Sequence, residues 1–447
     1  MTALLYTLGV VTFVVAILAS IGLHEFGHLI PAKKFGCKVP QWFIGFGPTV
    51  WSKQIGDTEY GVKAIPLGGY VKIVGMLPPG AEDLVEETTY DEDGEPVHKV
   101  RRSNTGMFTQ LISDARAAEW EYVKQHDTDR LFYRLPWWKK VIVMAGGPMV
   151  NIAIAFSLFV ILFATYGNPR DEVVEPTVAA VPECVIPVSE ERTTCEATDP
   201  ETPALAAGIR PGDEIVSFNG TPFRDWESFQ SLIRANADGD AVIEVRRDGE
   251  LLTLETNTTV TLRQTSLEDE TLTEVGFLGI QPEVHLATGG PLYTVGQMGT
   301  MTVETVEALG QLPVKVYEVG RAIVGLQERD PESPVSIVGG GRFAGEAASA
   351  DFPLVDKLVT LLFLIASFNF FIGMFNFVPL LPLDGGHIAG ALYEGLKRGL
   401  ARLRGRPDPG HVDVAKLLPV AYVVGLAMLV MGVVLIVADL VVPLHLS

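Results

Sequence analysis

The chain has 447 residues, of which 48% are hydrophobic, and its formal net charge is −20. This negative balance excludes a general role in nucleic-acid binding and suits a surface that stays soluble beside a membrane. Long uncharged runs separate the charged segments, which is typical of a polytopic membrane protein and not of a soluble enzyme.

Four apolar stretches reach the ~20 residues that a helix needs to cross a hydrocarbon core. They cover residues 2–23, 141–167, 358–383 and 417–438. The first is too long for a removable signal peptide and has no basic region before it. The predicted fold class is therefore a polytopic α-helical membrane protein with four transmembrane helices.

The first stretch runs into His24-Glu25-Phe26-Gly27-His28. Residues i and i+4 share one face of a helix, so His24 and His28 can bind one metal ion with Glu25 beside them. Zinc lowers the pKa of a bound water to roughly 7, and a neighbouring carboxylate can accept its proton. The alternative is two interfacial histidines without metal. Residues 1–23 carry no charge, and ionisable groups at that depth are costly unless they are functional, which favours the metal site.

A catalytic zinc ion normally has three protein ligands, so a third residue must come from elsewhere in the chain. Asp384 follows the third apolar stretch directly, and a carboxylate at membrane depth needs a partner. The alternative is that Asp384 only caps the basic helix expected near residues 388–403. The prediction is one Zn²⁺ per chain, bound by His24, His28 and Asp384.

The orientation follows from the basic residues that flank the four stretches. By the positive-inside rule these flanks face the cytoplasm, which leaves both termini and residues 168–355 outside. The flanking residues are Lys33, Lys34, Lys38, Arg134, Lys139, Lys140, Lys397, Arg398, Arg402, Arg404, Arg406 and Lys416.

Two separated motifs carry a resemblance to a known family. The metal motif at residues 24–28 and Asn376-x-x-Pro379-x-x-x-Leu383-Asp384-Gly385 resemble the paired motifs of the site-2 proteases, which are intramembrane zinc metalloproteases. The resemblance implies that His24, His28 and Asp384 bind zinc and that Glu25 is the catalytic base. It also implies that Asn376 and Pro379 shape the site and hold an extended substrate, although an ordinary helix end explains them too.

Residues 36–80 are predicted to form a membrane-associated β-hairpin or sheet. Two extended runs flank an Ile-Gly-Asp turn, and residues 67–73 continue with strand-like alternation. Gly45 and Gly47, together with Gly68 and Gly69, resemble the glycine positions of the region where site-2 proteases engage substrate. A sheet edge beside a protein cavity can pair with a substrate strand, so Gly68 and Gly69 are predicted substrate-binding residues. A plain cytoplasmic hairpin is the alternative.

Residues 204–220, with the run Gly-Ile-Arg-Pro-Gly-Asp, resemble part of a PDZ domain from bacterial proteases. Only one copy is visible, which resembles the actinobacterial form of the sigma-factor-regulating branch. Such a domain either captures a peptide C-terminus in its groove or acts as a size filter, and the sequence leaves both open. Cys184 and Cys195 flank a short loop on the side predicted to be oxidising, where a disulfide is possible, whereas Cys37 should stay reduced.

These observations predict a protein of the bacterial plasma membrane that cleaves single-pass membrane proteins inside the bilayer. Anti-sigma factors already cut outside are the leading substrates, and remnant signal peptides come second. A membrane PDZ scaffold or chaperone with a vestigial metal site is the alternative. A metal transporter would need further ionisable residues within the spans, and none is expected inside the second or fourth beyond their ends.

The predicted domain order follows from these assignments. Residues 82–95 are expected to be a solvated insert without a fold of its own. The segments are 1–35 (first span with the metal motif), 36–80 (β region), 81–135 (cytoplasmic acidic insert and helix), 136–168 (second span), 175–290 (extracytoplasmic PDZ domain and extension), 291–354 (amphipathic helix and linker), 355–390 (third span with the aspartate motif), 391–414 (cytoplasmic basic helix and loop) and 415–442 (fourth span).

Overall fold

The computed structural model describes residues 2–78, 87–90, 96–99, 107–120, 125–186, 194–264 and 272–445. The chain forms two compact units. Met1–Ala164 and Gly289–Ser447 make up the membrane unit, and Thr165–Thr288 make up the inserted unit.

Helices dominate the membrane unit, and strands dominate the inserted unit. The helices are α1 (Thr2–Lys34), α2 (Met107–Trp120), α3 (Trp137–Thr165), α4 (Pro203–Ala206), α5 (Trp226–Ala235), α6 (Pro291–Ile323), α7 (Ile337–Ser349), α8 (Leu354–Asn376), α9 (Asp384–Leu403) and α10 (Leu418–Val441). The strands are β1 (Gln41–Ile55), β2 (Thr58–Lys72), β3 (Glu87–Tyr90), β4 (Pro96–Lys99), β5 (Asn168–Ala180), β6 (Glu214–Phe218), β7 (Thr221–Pro222), β8 (Asp240–Arg247), β9 (Glu250–Asn257), β10 (Thr259–Gln264), β11 (Leu272–Phe277) and β12 (Gln281–Ala287).

Four helices are long and apolar enough to cross a membrane, namely α1, α3, α8 and the helical stretch that ends with α10. This number agrees with the prediction, although the ends of the helices differ from those of the apolar stretches. Helix α1 continues to Lys34, so the whole metal motif lies inside one helix. Helix α8 ends at Asn376, before the predicted end at residue 383, because Pro379 and Pro382 cannot continue the backbone hydrogen bonding of a helix.

Glycines let α1 approach its neighbours closely. A Cβ on Gly9 would overlap the carbonyl oxygen of Ala344 in α7, and one on Gly27 would overlap the carbonyl oxygen of Gly146 in α3. Small residues at such crossings let two helix backbones meet inside a membrane. The second crossing presses the metal motif of α1 against α3.

Helix α7 was not predicted, because the segment around residues 333–354 was expected to be a linker. Its sequence is rich in glycine and alanine, so it lacks the periodic spacing of large apolar residues that predicts a helix. The helix forms because its small residues are buried, and Ala344 joins Phe13, Ile17 and Ile365 in one apolar cluster.

The β region forms a hairpin that folds back on itself. Residues 41–44 pair on one side with 59–62 and on the other with 69–72, and residues 51–55 pair with the outer side of 58–62. The chain reverses direction near Gly45 and Gly47, whose φ angles are +90° and +83°. Such positive φ angles favour glycine. The strand pairing that the structure describes for residues 69–72 is with residues 41–44, so residues 69–72 lie at an edge of this sheet.

Part of the acidic insert forms a strand, which corrects the expectation for residues 82–95. Strand β3 pairs with β4 in a short antiparallel ladder. The strand pairing satisfies backbone N–H and C=O groups of this segment, although its sequence has too little apolar periodicity to predict a fold. The rest of that expectation falls on residues outside the described ranges.

The inserted unit contains a sheet with the strand order β12-β5-β6-β8-β9, and β10 pairs separately with β11. Strands β8 and β9 form a hairpin, and Asp248 and Gly249 between them have φ angles of +53° and +86°. Phe229 and Ile233, one turn apart on α5, are both buried in the core of the unit. The structure also joins Cys184 and Cys195 in a disulfide.

Asp213, from the Gly-Ile-Arg-Pro-Gly-Asp run, is 1% exposed and accepts two hydrogen bonds of 2.7 Å from Arg247. Its carboxylate also accepts a bond from the backbone N–H of Arg210. Burial acts to raise the pKa of Asp213, but these hydrogen bonds outweigh it and hold the pKa below its ordinary value. The carboxylate therefore ties the loop before β6 to strand β8.

Candidate active site

Three potential metal ligands meet in the membrane unit. His24 and His28 come from consecutive turns of α1, and Asp384 is the first residue of α9. The Nε2 atoms of the two histidines lie 3.2 Å apart. Each Nε2 atom lies 3.3 Å from Oδ2 of Asp384. The structure thus brings together side chains that are separated by more than 350 positions in the sequence.

Asp384 faces the histidines and does not cap its own helix. The residue before α9 makes no capping hydrogen bond through its side chain, and the Asp384 carboxylate points at the imidazoles of α1. The side chain of Asp384 is 17% exposed, so its oxygens are largely shielded from solvent. A carboxylate oxygen in this position is available to a metal ion as a third ligand.

The spacing of these atoms fits zinc. Tetrahedral coordination with zinc–ligand distances near 2.0–2.1 Å places neighbouring ligand atoms about 3.3 Å apart. The three observed separations are 3.2, 3.3 and 3.3 Å. Gly147 of α3 lines the same space, and a Cβ there would overlap Nε2 of His28 and lie 2.7 Å from Nε2 of His24. The absence of a side chain at this position leaves room for an ion among the three ligands.

Both imidazole rings are held by a hydrogen bond at Nδ1, the ring nitrogen that faces away from the cluster. Nδ1 of His24 lies 2.6 Å from Oδ1 of Asn151, and Nδ1 of His28 lies 2.8 Å from the carbonyl oxygen of Val143. Since both partners are acceptors, each Nδ1 carries the proton and each Nε2 presents its lone pair to the cluster.

Asn151 is itself held by a second amide. Its Nδ2 donates to Oδ1 of Asn369 over 3.1 Å, and Nδ2 of Asn369 donates to the carbonyl oxygen of Ile365 over 2.9 Å. Both asparagines are 0% exposed. These roles were not predicted from the sequence. The sequence did contain one indication, because a polar amide inside an uncharged span needs a hydrogen-bond partner at membrane depth.

Glu25 lies beside the ligands and also touches the edge of the β region. A Cβ on Gly69 would lie 3.0 Å from Cγ of Glu25 and 3.2 Å from Cγ2 of Ile21, so Gly69 brings the sheet backbone next to this carboxylate. Gly68 has a φ angle of +109° and faces Phe46 instead. Of the two predicted glycines, Gly69 is the one adjacent to Glu25.

Asn376 is the last residue of α8, and Pro379 lies in the turn that leads from α8 to Asp384. The side-chain amide of Asn376 donates to the carbonyl oxygen of Ile372, one turn back in its own helix. Among the described residues, no hydrogen bond joins Asn376 to the three metal-binding side chains. Both residues therefore belong to the connection that positions Asp384.

Helix α9 is anchored by a buried ion pair that was not predicted from the sequence. Nζ of Lys140 in α3 lies 2.7 Å from Oε2 of Glu394, and these residues are 5% and 1% exposed.

A second buried ion pair involves α10, where the carboxylate of Asp439 lies 2.8 Å from the guanidinium group of Arg329.

Lys140 and Asp439 lie near the ends of their helices, and the sequence has no charged residue between these ends in α3 or α10. This agrees with the expectation for the second and fourth spans. Each of the two residues is paired with an opposite charge, so neither supplies a free ionisable group to a transport path.

A histidine–histidine–aspartate cluster with a glutamate beside it, built where apolar helices meet, defines a membrane-embedded zinc metalloprotease. The profile of peptidase family M50 matches residues 12–407, and the chain belongs to this family, the site-2 proteases. It is 34% identical to the zinc metalloprotease Rip1 of Mycolicibacterium smegmatis, and the match covers 99% of each chain. It is also 34% identical to Rip1 of Mycobacterium tuberculosis, over 99% of this chain and 100% of that one. The metalloprotease MmpA of Caulobacter vibrioides is 25% identical over 86% of each chain.

Proposed function

We propose that this intramembrane zinc endopeptidase cleaves single-pass membrane proteins, with one zinc ion per chain held by His24, His28 and Asp384. The observation that carries the proposal is the convergence of these three donors next to Glu25 and the sheet edge at Gly69. Metal ligands, a general base and a backbone-binding edge are the parts that peptide hydrolysis requires.

Zinc held by His24, His28 and Asp384 would supply a Lewis acid that polarises the scissile carbonyl group and makes a water molecule acidic at neutral pH. Glu25 accepts the proton of that water at its carboxylate and then delivers it to the nitrogen of the leaving amine. Asn151 and the Val143 carbonyl group keep the two imidazoles in the tautomer that faces the ion.

The substrate binds as an extended strand along residues 69–72. A transmembrane helix keeps its amide groups in internal hydrogen bonds, so it must unwind before its backbone can be attacked. The edge of the β region at Gly69 offers replacement partners for those amides, and Gly69 lets the substrate chain pass close to Glu25, with Gly68 beside it in the same strand. Asn376 and Pro379, in the connection from α8 to Asp384, hold the extended substrate from that side.

The inserted unit works as a PDZ domain that binds the part of the substrate outside the membrane. A cavity of ≈ 260 Å³ lies between α5 and residues 275–280, lined by Trp226, Ile233 and Phe277. Nε of Arg263 is buried at this cavity and has no hydrogen-bond partner in the described structure. The guanidinium group of Arg263 also lies over the ring of Phe277, 4.5 Å from its centroid. A cavity with apolar walls and an unpartnered Nε of Arg263 fits a peptide C-terminus with an apolar last residue, and this supports peptide capture over a size filter.

The orientation places both termini and the inserted unit outside the bacterial plasma membrane, with the metal site towards the cytoplasm. The basic residues that flank the four spans support this arrangement, as does the disulfide between Cys184 and Cys195 in the inserted unit. The proposed substrates are anti-sigma factors shortened by a first cut outside, and remnant signal peptides are the second class.

The test is cleavage of a single-pass substrate by the full-length protein in lipid vesicles, with zinc content measured on the same samples. Glu25→Gln should lower the cleavage rate by at least about 10²–10⁴-fold, because it removes the general base. Its zinc content should stay near that of the wild type, since Glu25 is not a ligand. Glu307→Gln on the exposed face of α6 is the matched control and should cleave normally. Cleavage by Glu25→Gln at the wild-type rate would reject the mechanism, and absence of cleavage by zinc-loaded wild type would favour a scaffold.

A further inference from the structure

A second site lies where α9 passes the first turn of α3 in the membrane unit. It is a cleft of ≈ 580 Å³, far larger than a single water molecule requires. Its walls include Trp137 and Trp138 of α3, and Arg398 and Arg402 of α9 with Arg406 just after that helix. None of these residues belongs to the metal cluster or to the substrate edge.

Two glycines on one face of α9 create the space. A Cβ on Gly395 would lie 2.6 Å from the indole ring of Trp137, so this glycine lets the ring rest on the helix. Gly399 lies one turn further along, and apart from the neighbouring backbone of its own helix no atom lies within 4 Å of where its Cβ would be. The cleft is therefore open at Gly399, and a larger side chain there would enter it without displacing the backbone.

The cleft presents unpaired positive charge although the chain as a whole has a charge of −20. Arg398 is neutralised, since its guanidinium group lies 3.4 Å from Glu394 and 3.4 Å from Asp408, which also lines the cleft. Among the residues that the structure describes, no carboxylate lies within 4.0 Å of the guanidinium group of Arg402 or Arg406. Guanidinium groups bind phosphate oxygens in a bidentate manner, which makes this pair suited to a phosphate.

The surroundings of the cleft indicate the depth at which it lies. Trp137 and Trp138 begin a membrane-spanning helix and are 38% and 46% exposed, and indole rings prefer the boundary between lipid and water. Leu392, Leu396 and Leu400 lie on one face of α9 and are 49%, 61% and 40% exposed. An apolar stripe for acyl chains thus runs along the same helix as Arg402.

We propose that this cleft binds the phosphate group of an anionic phospholipid, with Arg402 and Arg406 on the phosphate oxygens and the acyl chains along the leucine stripe. A lipid explains the indoles and the leucines together with the arginines, whereas a free phosphate ion explains only the arginines. Since α9 begins at Asp384, a lipid bound here also steadies the helix that carries one of the three metal-binding side chains.

The experiment titrates full-length protein in detergent with phosphatidylglycerol or phosphatidylcholine of identical acyl chains and counts bound lipids by native mass spectrometry. The wild type should bind phosphatidylglycerol more tightly than phosphatidylcholine. Arg402→Ala and Arg406→Ala should each weaken phosphatidylglycerol binding by about fivefold, the contribution expected for one basic residue at an anionic lipid. Gly399→Leu should also weaken binding, because it fills the cleft without changing any charge.

Arg404→Ala is the matched control. Arg404 is exposed and close in sequence, but it does not line the cleft, so its removal should change the affinity by less than about twofold. Equal losses for Arg404→Ala and Arg402→Ala would overturn the proposal in favour of general surface charge. Equal binding of the two lipids would overturn it as well. Competition by glycerophosphoglycerol, which has no acyl chains, at the affinity of the lipid itself would show a site for free anions instead.

Discussion

Nδ1 of His24 lies 2.6 Å from Oδ1 of Asn151, and this bond connects a metal-binding ring on α1 to an amide buried inside α3. The amide of Asn151 has a fixed direction, because its Nδ2 already donates to Asn369. Its oxygen is therefore the atom that faces the histidine. The same two helices meet at the crossing of Gly27 and Gly146, so backbone packing and side-chain hydrogen bonding both align the ring.

Replacing Asn151 with leucine should weaken zinc binding by about 10–100-fold. This is the usual loss when a metal-binding histidine loses the hydrogen-bond acceptor at its other ring nitrogen. Leucine has a similar size, so the change removes the acceptor without leaving a large cavity. The measurement is a competition for zinc between the purified full-length protein and a chelator of known affinity, followed by metal analysis of the protein fraction.

Two further variants separate positioning from packing. Asn151→Asp should retain zinc, because a carboxylate also accepts the Nδ1 proton. Ser157→Ala, on an exposed part of the same helix, should have no effect. If Asn151→Leu holds zinc as tightly as the wild type, the bond to Asn151 does not orient His24.

Gly147→Ala should abolish zinc binding and peptidase activity together. The added methyl group would overlap Nε2 of His28 and lie 2.7 Å from Nε2 of His24, which is the space that the ion requires. Zinc content per chain and cleavage of a membrane substrate are the two measurements. Gly432→Ala in α10 is the control, because a Cβ there meets no atom within 4 Å, and it should be neutral or slightly stabilising. Normal zinc content in Gly147→Ala would show that the ion lies elsewhere.

The spans and the two halves of the metal site were predictable, because they depend on local patterns. Uninterrupted apolar residues define α1 and α8, and the spacing of His24 and His28 follows from one helical turn. The pairing of Asn151 with Asn369 was not predictable in the same way. It depends on which faces of α3 and α8 meet, and no pattern within either helix contains that information.

Helix α7 shows a different limit. Its residues 339–341 are three successive glycines, which favour a flexible linker when only local propensity is considered. In the structure these glycines are buried, and Gly339 lies against the carboxylate of Asp439, which accepts its backbone N–H over 3.1 Å. Tertiary contacts therefore override the local preference, and a prediction from sequence alone assigns the wrong element.

Cys37 should be the one thiol of the three cysteines that is free, and it should react slowly in the native protein. Its side chain is buried, and burial raises the pKa of the thiol to about 11. Alkylation needs the thiolate, and at pH 8 only about a thousandth of a thiol with that pKa is ionised. Maleimide labelling should therefore be negligible in native protein and should reach one site per chain after denaturation.

Reduction before denaturing labelling should raise the count from one site to three, because it opens the bond between Cys184 and Cys195. Mapping the labelled peptides identifies which thiols react. Labelling of Cys184 or Cys195 without reductant, in protein isolated from its membrane, would contradict both the disulfide and the outward orientation of the inserted unit.

Arg247→Ala should destabilise the inserted unit by about 3 kcal/mol, because it leaves the carboxylate of Asp213 buried without its main partner. The neighbouring variant Arg246→Ala removes a pair with Glu214 in which both side chains are nearly half exposed, and it should cost less than about 1 kcal/mol. Hydrogen exchange of the full-length protein, corrected for intrinsic rates and read on β6 and β8, gives the local free energies of opening.

The same contact sets a pH dependence with a definite sign. The pKa of Asp213 is lower in the folded protein than its ordinary value near 3.9, so the unfolded state binds more protons in acid. The stabilisation is fully present above the unfolded pKa, and it is lost as the pH falls through that value towards the native pKa. Protection of β6 and β8 should therefore decrease below about pH 4 in the wild type. Arg247→Ala should show a weaker dependence over this range, since its folded-state pKa no longer benefits from the guanidinium group, and an identical acid profile in both proteins would rule out this linkage.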